Sequence, residues 1–355
     1  MIGIIVGTRP EIIKMLPIIH ECESRGSDYK ILNSYQNFSV NMNSEFLEEF
    51  GIDMEKIDTI PRKDVENLDK RFRLYKEDNL DIVLVQGDTD TAFFSALYAK
   101  RNKISVGHIE AGLRCGDLYM FEEQNRIFID HIADLNFAPT TMAKANLQYE
   151  GIDLKRIRLT GNTIVESLEY LQKKHEIPVK NFLNNHILLT IHRRENLDKV
   201  RMILSIVDYF CEENNLKAVF PCHPHTADYL KKEKAYDNIM ISEPIGYKEF
   251  IESLLTCKFV ITDSGGVQEE SCILKVPCIT MRKSTERPET LTLSNILFDT
   301  DKLKTNDDVL KVKSEFFNAV KTVLKRDMRY VQPYSGAGTI SKQIVDVVEE
   351  FIEEE

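Results

Sequence analysis

The 355-residue chain contains no tryptophan and no apolar stretch near the roughly 20 residues that a membrane-spanning helix needs. Its amino-terminal apolar run, Ile2–Val6, is too short for the core of a signal peptide, and no positively charged side chain precedes it. Seven cysteines occur without any C-x-x-C pair, which favours reduced thiols. These absences predict a cytoplasmic protein with no membrane partner.

An excess of basic charge is also absent, because 46 Lys and Arg residues stand against 57 Asp and Glu residues, a net charge of −11. Affinity for nucleic acid depends on Lys and Arg contacts with phosphates, so the composition argues against a nucleic-acid partner. A few locally placed basic side chains could still bind an anionic nucleotide.

Two cofactor signatures are missing as well. No G-x-G-x-x-G follows a predicted strand and no G-x-x-x-x-G-K-S/T occurs, which excludes a Rossmann-type NAD site and a P-loop. The densest group of potential metal ligands is Cys222, His223 and His225, but Pro224 constrains the directions of these side chains. We therefore predict that the protein uses neither a metal nor another cofactor.

Short runs rich in Ile and Val alternate with longer amphipathic stretches. Strands buried on both faces of a parallel sheet have this composition, and the alternation is typical of right-handed βαβ units. The runs span residues 2–6, 82–85, 104–108, 187–191, 218–220, 259–262 and 277–281. The pattern predicts an α/β fold of two Rossmann-like, doubly wound domains that face each other across a cleft.

The two halves of the chain resemble each other. Residues 82–108 and 259–281 each form a strand, an acid next to a hydroxyl, a helix and a second strand. Ligands of such sheets bind at the carboxyl ends of the strands. We place the domains at 1–168 and 169–338, and predict that a helix over 339–355 packs back on the first.

A possible anion site follows the first strand, in the sequence GTRPE. Pro10 suits the first position of a helix, and the free N–H groups of a helix amino terminus bind anions. Arg9 and Lys14 add positive charge. The alternative interpretation is an ordinary turn between a strand and a helix.

Carboxylates follow two strands of the first half. Asp88 comes directly after one strand, Glu110 ends the next, and Glu122 opens the helix that follows. Grouped carboxylates raise one another's pKa and can serve as acid and base partners. Glu122 and Glu123 could instead be acids favoured by the helix dipole, the interpretation that we prefer for Glu123.

The second half places histidines and a glycine pair at its strand ends. His192 stands beside two arginines and could donate a proton or contact a phosphate, and His223 ends the next strand. In DSGGVQEE, Ser264 can cap a helix whose glycines admit a ligand to backbone amides. A ribose could bind Glu270, and Arg287 could clamp a diphosphate.

Seven motifs, GTRPE, GDTDT, HIEAGLR, EEQNR, HRREN, DSGGVQEE and TERPE, stand in this order. Together they resemble the non-hydrolysing UDP-N-acetylglucosamine 2-epimerase family from residue 3 to about residue 290. The resemblance implies a homodimer with the glycosyltransferase B architecture that interconverts UDP-N-acetylglucosamine and UDP-N-acetylmannosamine. The positions that it ties to catalysis are Asp88, Glu110, Glu122 and His192. Those that it places around the UDP-sugar are Arg9, Lys14, His223, Ser264, Gly265, Gly266, Glu270 and Arg287.

Three departures from the family pattern accompany the resemblance. Gln36-Asn37 stands where the family has Gln-His, a pair that helps to bind a second, activating UDP-N-acetylglucosamine. His225 stands where the family has Asn, and the loop before Glu122 is about two residues shorter than the family's and lacks its prolines. We predict that activation survives at a higher concentration of the activator.

The chemistry of C2 inversion favours one mechanism, since no carbonyl acidifies the C2 proton and the NAD fingerprint is missing. UDP would leave C1 to give a 2-acetamidoglucal and then return, with the proton delivered to the opposite face. Four alternatives stay open. They are an epimerase for another UDP-sugar such as a diacetamido-uronic acid, a hydrolysing epimerase, a glycosyltransferase of the same fold, and a nucleotide-sugar sensor.

Overall fold

The first parallel sheet of the computed structural model forms from runs whose side chains are buried on both faces.

The structure describes residues 1–34, 50–52, 57–59, 79–177, 186–230, 236–334, 336 and 338–354. The chain divides into two compact units, one of residues 1–170 with 334–355 and the other of residues 171–333.

In the described residues of the first unit, seven parallel strands are ordered β3-β2-β1-β4-β5-β6-β7. Every residue of β1, β4 and β5 is buried, as the apolar runs predict. The strands are β1 (Ile2–Val6), β2 (Tyr29–Asn33), β3 (Ile57–Thr59), β4 (Ile82–Gln86), β5 (Ser105–Ile109), β6 (Leu135–Ala138) and β7 (Ile157–Leu159).

Helices connect these strands, and the last helix of the chain belongs to the same unit. They are α1 (Arg9–Arg25), α2 (Asp90–Arg101), α3 (Phe121–Ile132), α4 (Thr141–Tyr149), α5 (Ile164–Lys174), which crosses into the second unit, and α13 (Ile340–Glu354). Arg25 at the end of α1 forms ion pairs with Asp346 and Glu349 of α13. Glu166 accepts the backbone N–H groups of Ile340 and Ser341, which α13 cannot satisfy within itself.

The second unit contains six parallel strands in its described residues, ordered β10-β9-β8-β11-β12-β13. The strands are β8 (His186–Thr190), β9 (Lys217–Pro221), β10 (Ile239–Ser242), β11 (Phe259–Thr262), β12 (Cys278–Thr280) and β13 (Asn295–Leu297). The helices are α6 (Arg194–Leu197), α7 (Val200–Asn214), α8 (Pro224–Leu230), α9 (Tyr247–Thr256), α10 (Gly265–Ile273), α11 (Glu289–Leu293) and α12 (Asn306–Leu324).

Aromatic side chains fill the core between this sheet and its outer helices. Phe210 of α7 packs edge-on against Phe259 of β11, and against Phe316 and Phe317 of α12. Edge-to-face contacts of this kind add to the free energy of apolar burial. The predicted α/β fold with two Rossmann-like parallel sheets is confirmed.

Where the bounds of a strand differ from the predicted run, they differ by one residue, and the start of β5 shows why. Lys103 adopts a left-handed backbone conformation with φ of 60° after α2, and Ile104 still bonds to the carbonyl of Ala99. The chain therefore enters the sheet at Ser105, although the apolar run begins at Ile104. Within the described ranges, no helix is long and apolar enough to cross a membrane.

Candidate active site

Glu11 joins the loops that follow β1 and β4 at the carboxyl edge of the first sheet. Its buried carboxylate accepts the N–H groups of Gly7 and Thr8 at 2.9 and 2.6 Å, and the hydroxyl of Thr89 at 2.5 Å. Burial raises the pKa of Glu11, although these hydrogen bonds oppose the rise. The carboxylate thereby fixes the loop that carries Arg9 against the loop that carries Asp88.

Glu110 lies buried at the end of β5 and receives donors from three elements. The Lys14 Nζ lies 2.6 and 2.7 Å from its two carboxylate oxygens, and Lys14 is itself buried. Gln86 also donates to this carboxylate, as does Asn162 at 3.3 Å. A Cβ added to Gly87 would lie 3.9 Å from it, so Glu110 stands directly below the loop of Asp88.

Two residues of helix α3 hold Asp88 in place. Its Oδ2 lies 2.9 Å from Nε of Arg126, and its side chain keeps 31% of its surface exposed. Asn125 donates to the Asp88 carbonyl oxygen at 3.0 Å. Arg126 is buried and also pairs with Glu123, so helix α3 fixes the loop after β4.

Glu122 and Glu123 are neighbours with opposite environments. Glu122 is partly exposed, and within the described part of the chain its carboxylate has no hydrogen bond or ion pair. Glu123 is 1% exposed and accepts the N–H groups of Cys115 and Gly116 at 2.9 and 2.8 Å. Glu123 thus holds the preceding loop, a larger structural role than interaction with the helix dipole alone.

In the second unit, Asp263 organises the ends of two strands. Its carboxylate, fully buried, accepts the backbone N–H groups of His192 at 3.1 Å and Arg193 at 2.9 Å, and the side-chain amide of Asn196 at 3.1 Å. The His192 ring remains 43% exposed, with Nδ1 3.7 Å from Oδ1 of Asp263. The exposed His223 lies beside it, with ring centroids 6.1 Å apart.

Ser264 and Gly266 shape the amino terminus of α10. The Ser264 hydroxyl accepts the N–H of Val267 at 3.4 Å and caps the helix. A Cβ added to Gly266 would meet no atom nearer than 3.8 Å, so the space beside Gly266 is open. One helical turn later, the buried Glu270 accepts the hydroxyl of Tyr247 at 2.6 Å. The N–H groups of this terminus can bind an anion.

Arg287 is enclosed by carboxylates. Its Nε lies 2.8 Å from Glu269, its Nη1 pairs with Glu286, and Glu286 also lies 2.9 Å from Arg282. The two arginines and two glutamates balance in charge, and all four are buried. A Cβ on Gly265 would lie 2.5 Å from Nη1 of Arg287, so this network packs against the start of α10.

Each predicted site residue with a described position belongs to one of two groups. The first unit holds Arg9, Lys14, Asp88, Glu110 and Glu122, and the second holds His192, His223, Ser264, Gly265, Gly266, Glu270 and Arg287. Gln36 and Asn37 lie outside the described residues, and so does the side chain of His225. In the described ranges, no three His, Cys, Asp or Glu side chains are grouped to hold a metal.

Several residues that hold these groups in place were not predicted as site residues from the sequence, notably Glu11, Arg126, Asp130 and Asp263. Glu11 and Asp263 stand inside the quoted motifs, and each accepts N–H groups from a loop that follows a strand. An acid at such a turn is a recognisable signal. Arg126 ends the quoted motif EEQNR, but nothing in that motif shows which residues it contacts, and Asp130 lies within α3 outside every quoted motif.

Comparison with known proteins identifies the family. A family model described as UDP-N-acetylglucosamine 2-epimerase matches residues 20–349. The chain is 38% identical to the UDP-N-acetylglucosamine 2-epimerase of Methanocaldococcus jannaschii over 98% of both chains. A crystal structure of UDP-GlcNAc 2-epimerase from that organism, in complex with UDP-GlcNAc and UDP, matches with a TM-score of 0.86 at 36% identity, covering 98% of this chain and 99% of that one.

A relative that acts on another UDP-sugar is also similar. The chain is 32% identical to the UDP-2,3-diacetamido-2,3-dideoxy-D-glucuronate 2-epimerase of Pseudomonas aeruginosa, over 82% of this chain and 86% of that one. The family model covers far more than half of the sequence. The chain therefore belongs to the UDP-N-acetylglucosamine 2-epimerase family, a family of isomerases, as its motifs predicted.

Proposed function

We propose that this protein is a homodimeric UDP-N-acetylglucosamine 2-epimerase that interconverts UDP-N-acetylglucosamine and UDP-N-acetylmannosamine. The observation that carries the proposal is the group formed by Glu110 with Lys14, beside the loop of Asp88, in a chain of this family. The carboxyl ends of parallel strands, where Glu110 and Asp88 lie, are the edge at which ligands of such sheets bind.

The reaction would proceed by loss and return of UDP. The bond between C1 and the diphosphate oxygen breaks, UDP leaves with the electron pair, and a base takes the C2 proton, which gives a 2-acetamidoglucal. Readdition reverses each step, with the proton delivered to the other face of C2. Charge develops on the departing diphosphate, so prearranged donors there lower the barrier.

Accessibility divides the roles of the three carboxylates. Asp88 keeps part of its surface exposed and Glu122 is partly exposed, so these two can exchange protons with the sugar. Glu110 has donors on both oxygens and is buried, which suits a fixed acceptor that orients the sugar. Lys14 would then affect the substrate mainly by holding the Glu110 carboxylate in place.

The second unit would hold UDP. The amino terminus of α10, at Ser264, Gly265 and Gly266, would offer N–H groups to a phosphate that approaches beside Gly266, and Glu270 would offer a carboxylate to the ribose. The exposed His192 and His223 would stabilise the leaving diphosphate from the neighbouring strand ends. Arg9 and Arg287 would add positive charge, although a diphosphate must compete with Glu269 and Glu286 for Arg287.

The test is an NMR time course of the protein with UDP-N-acetylglucosamine, without acceptor, NAD or added metal. We expect UDP-N-acetylmannosamine to appear until a constant ratio is reached. Free N-acetylmannosamine with UDP would identify a hydrolysing epimerase, and an unchanged substrate would contradict the proposal.

The match to the diacetamido-glucuronate epimerase favours one second candidate. The same time course with UDP-2,3-diacetamido-2,3-dideoxy-D-glucuronate decides between the two substrates. A kcat/KM for this compound above that for UDP-N-acetylglucosamine would replace the proposed substrate.

A further inference from the structure

Asp130, in the third turn of α3, is a buried carboxylate that the proposed reaction does not use. Its Oδ1 lies 2.6 Å from Nδ1 of His108, and its Oδ2 lies 2.7 Å from Nη2 of Arg114 and 3.1 Å from the backbone N of Gly112. The residue has no exposed surface. All three donors belong to the segment of chain that carries Glu110.

The charges around Asp130 keep it ionised. Burial by itself would raise the pKa of Asp130, but the charges and hydrogen bonds of His108 and Arg114 outweigh burial and lower it. The other ring nitrogen of His108 lies 2.8 Å from the carbonyl oxygen of Gly87, which can only accept. His108 thus bridges Asp130 and the loop after β4 through its two ring nitrogens, and Arg114 also pairs with Glu150 at 2.6 Å.

The segment that Asp130 holds has an unusual backbone. Glu110 adopts a φ of 70° and Gly112 a φ of 82°, both in the left-handed region. For a residue with a side chain this conformation is strained and persists only where its surroundings impose it. Asp130 binds His108 two residues before Glu110 and Gly112 two residues after it, so it fixes the chain on both sides of the strained position.

We propose that Asp130 is a positioning residue for Glu110: it imposes the left-handed turn that directs the Glu110 carboxylate toward Lys14 and the substrate. The proposal rests on the proposed function. Misplacing a carboxylate by a fraction of an ångström affects the chemical step more than substrate binding. Substituting Asp130 should therefore lower turnover only while Glu110 is present.

A double-mutant cycle with Asp130→Asn and Glu110→Gln tests this dependence. We expect Asp130→Asn alone to lower kcat about tenfold or more while KM changes less than about threefold. In the Glu110→Gln background, the same substitution should lower kcat by less than about twofold. An equal fold-loss of kcat in both backgrounds, or a change confined to KM, would overturn the inference.

Asp134→Asn is the matched control. Like Asp130, Asp134 accepts a backbone N–H, that of Val106 at 2.8 Å, and pairs with a cation, Lys100 at 2.7 Å. Val106 lies in β5 at the end away from Glu110. We expect Asp134→Asn to lower the melting temperature with kcat within about twofold of wild type. A tenfold loss of kcat in Asp134→Asn would mean that any weakening of β5 impairs turnover, and would remove the specific role of Asp130.

If Asp130→Asn does not fold, Arg114→Gln enters the same cycle under the same criterion, since it removes the guanidinium that pairs with Asp130. Failure of the proposed function gives a different experimental result from failure of this inference. Wild-type protein that leaves UDP-N-acetylglucosamine unchanged overturns the proposed function, and the inference with it. An active wild type with equal losses in both backgrounds overturns the inference alone.

Discussion

The Nζ of Lys14 lies 2.6 and 2.7 Å from the two carboxylate oxygens of Glu110, and both side chains are buried. The two residues are 96 positions apart in the chain, one in α1 and the other at the end of β5. The pair therefore joins the first helix to the sheet edge that carries the proposed carboxylates.

Removing one partner of this pair should cost more stability than removing both. Lys14→Met leaves the Glu110 carboxylate buried without its cation, and we expect the free energy of unfolding to fall by about 3 kcal/mol. Lys14→Met with Glu110→Gln places two neutral side chains together and should recover at least half of that loss. Urea denaturation measures Lys14→Met, Glu110→Gln and the double variant, and a double variant as unstable as the sum of the two single losses would contradict the pairing.

Glu122→Gln should lower turnover and leave stability nearly unchanged, whereas Glu123→Gln should lower stability. Glu122 is partly exposed, so its substitution should lower kcat by about 10² and change the free energy of unfolding by less than about 0.5 kcal/mol. Glu123→Gln disturbs the bonds to Cys115 and Gly116 and the pair with Arg126, and should cost about 2 kcal/mol of stability. Kinetics and denaturation on the same preparations decide, and a Glu122→Gln enzyme with normal kcat would remove Glu122 from the reaction.

Alanine substitutions at two neighbouring glycines should affect stability and UDP binding separately. Gly266→Ala has room for its methyl group and should keep its free energy of unfolding within about 1 kcal/mol, while weakening UDP about tenfold by covering the amino terminus of α10. Gly265→Ala meets Arg287 at 2.5 Å and Glu286 at 2.6 Å and should lose about 1–3 kcal/mol of stability. Calorimetric titration with UDP tests the first effect, and an unchanged affinity in Gly266→Ala would place the diphosphate elsewhere.

The raised pKa of Glu11 predicts a pH dependence of a definite sign. The folded protein holds this proton more tightly than the unfolded chain, because burial raises the pKa of Glu11 against its hydrogen bonds. Its contribution to stability is thus fully present below the ordinary glutamate pKa and is lost as the pH rises through the folded value. Relative to Glu11→Gln, wild type should lose free energy of unfolding as the pH rises above 4.5, and a difference independent of pH would contradict the shift.

The strands of both sheets, and several site residues that follow them, could be predicted from local sequence. Parallel strands buried on both faces are continuous apolar runs, and polar residues directly after a strand stand at the edge where ligands bind. Asp88, Glu110 and Ser264 were found for this reason. Their positions require only the strand that precedes them.

The supporting contacts could not be predicted, because they depend on how separate elements pack. Nothing local to Arg287 shows that Glu269 will lie 2.8 Å from it, so the sequence suggested an arginine available to a diphosphate. Asp130 lies within a helix, and its role appears only when α3 packs beside β5. Lys14 likewise was expected at the substrate, and its contact with Glu110 required the fold.

The most direct test of the account follows the oxygen that bridges C1 and the β-phosphorus. UDP-N-acetylglucosamine labelled with heavy oxygen at this bridge is incubated with the protein, and phosphorus NMR follows the label during epimerisation. If UDP leaves and returns, the terminal phosphate rotates while detached, and the label must appear in non-bridging positions of the β-phosphate. Formation of the epimer with the label retained entirely in the bridge would contradict elimination and readdition.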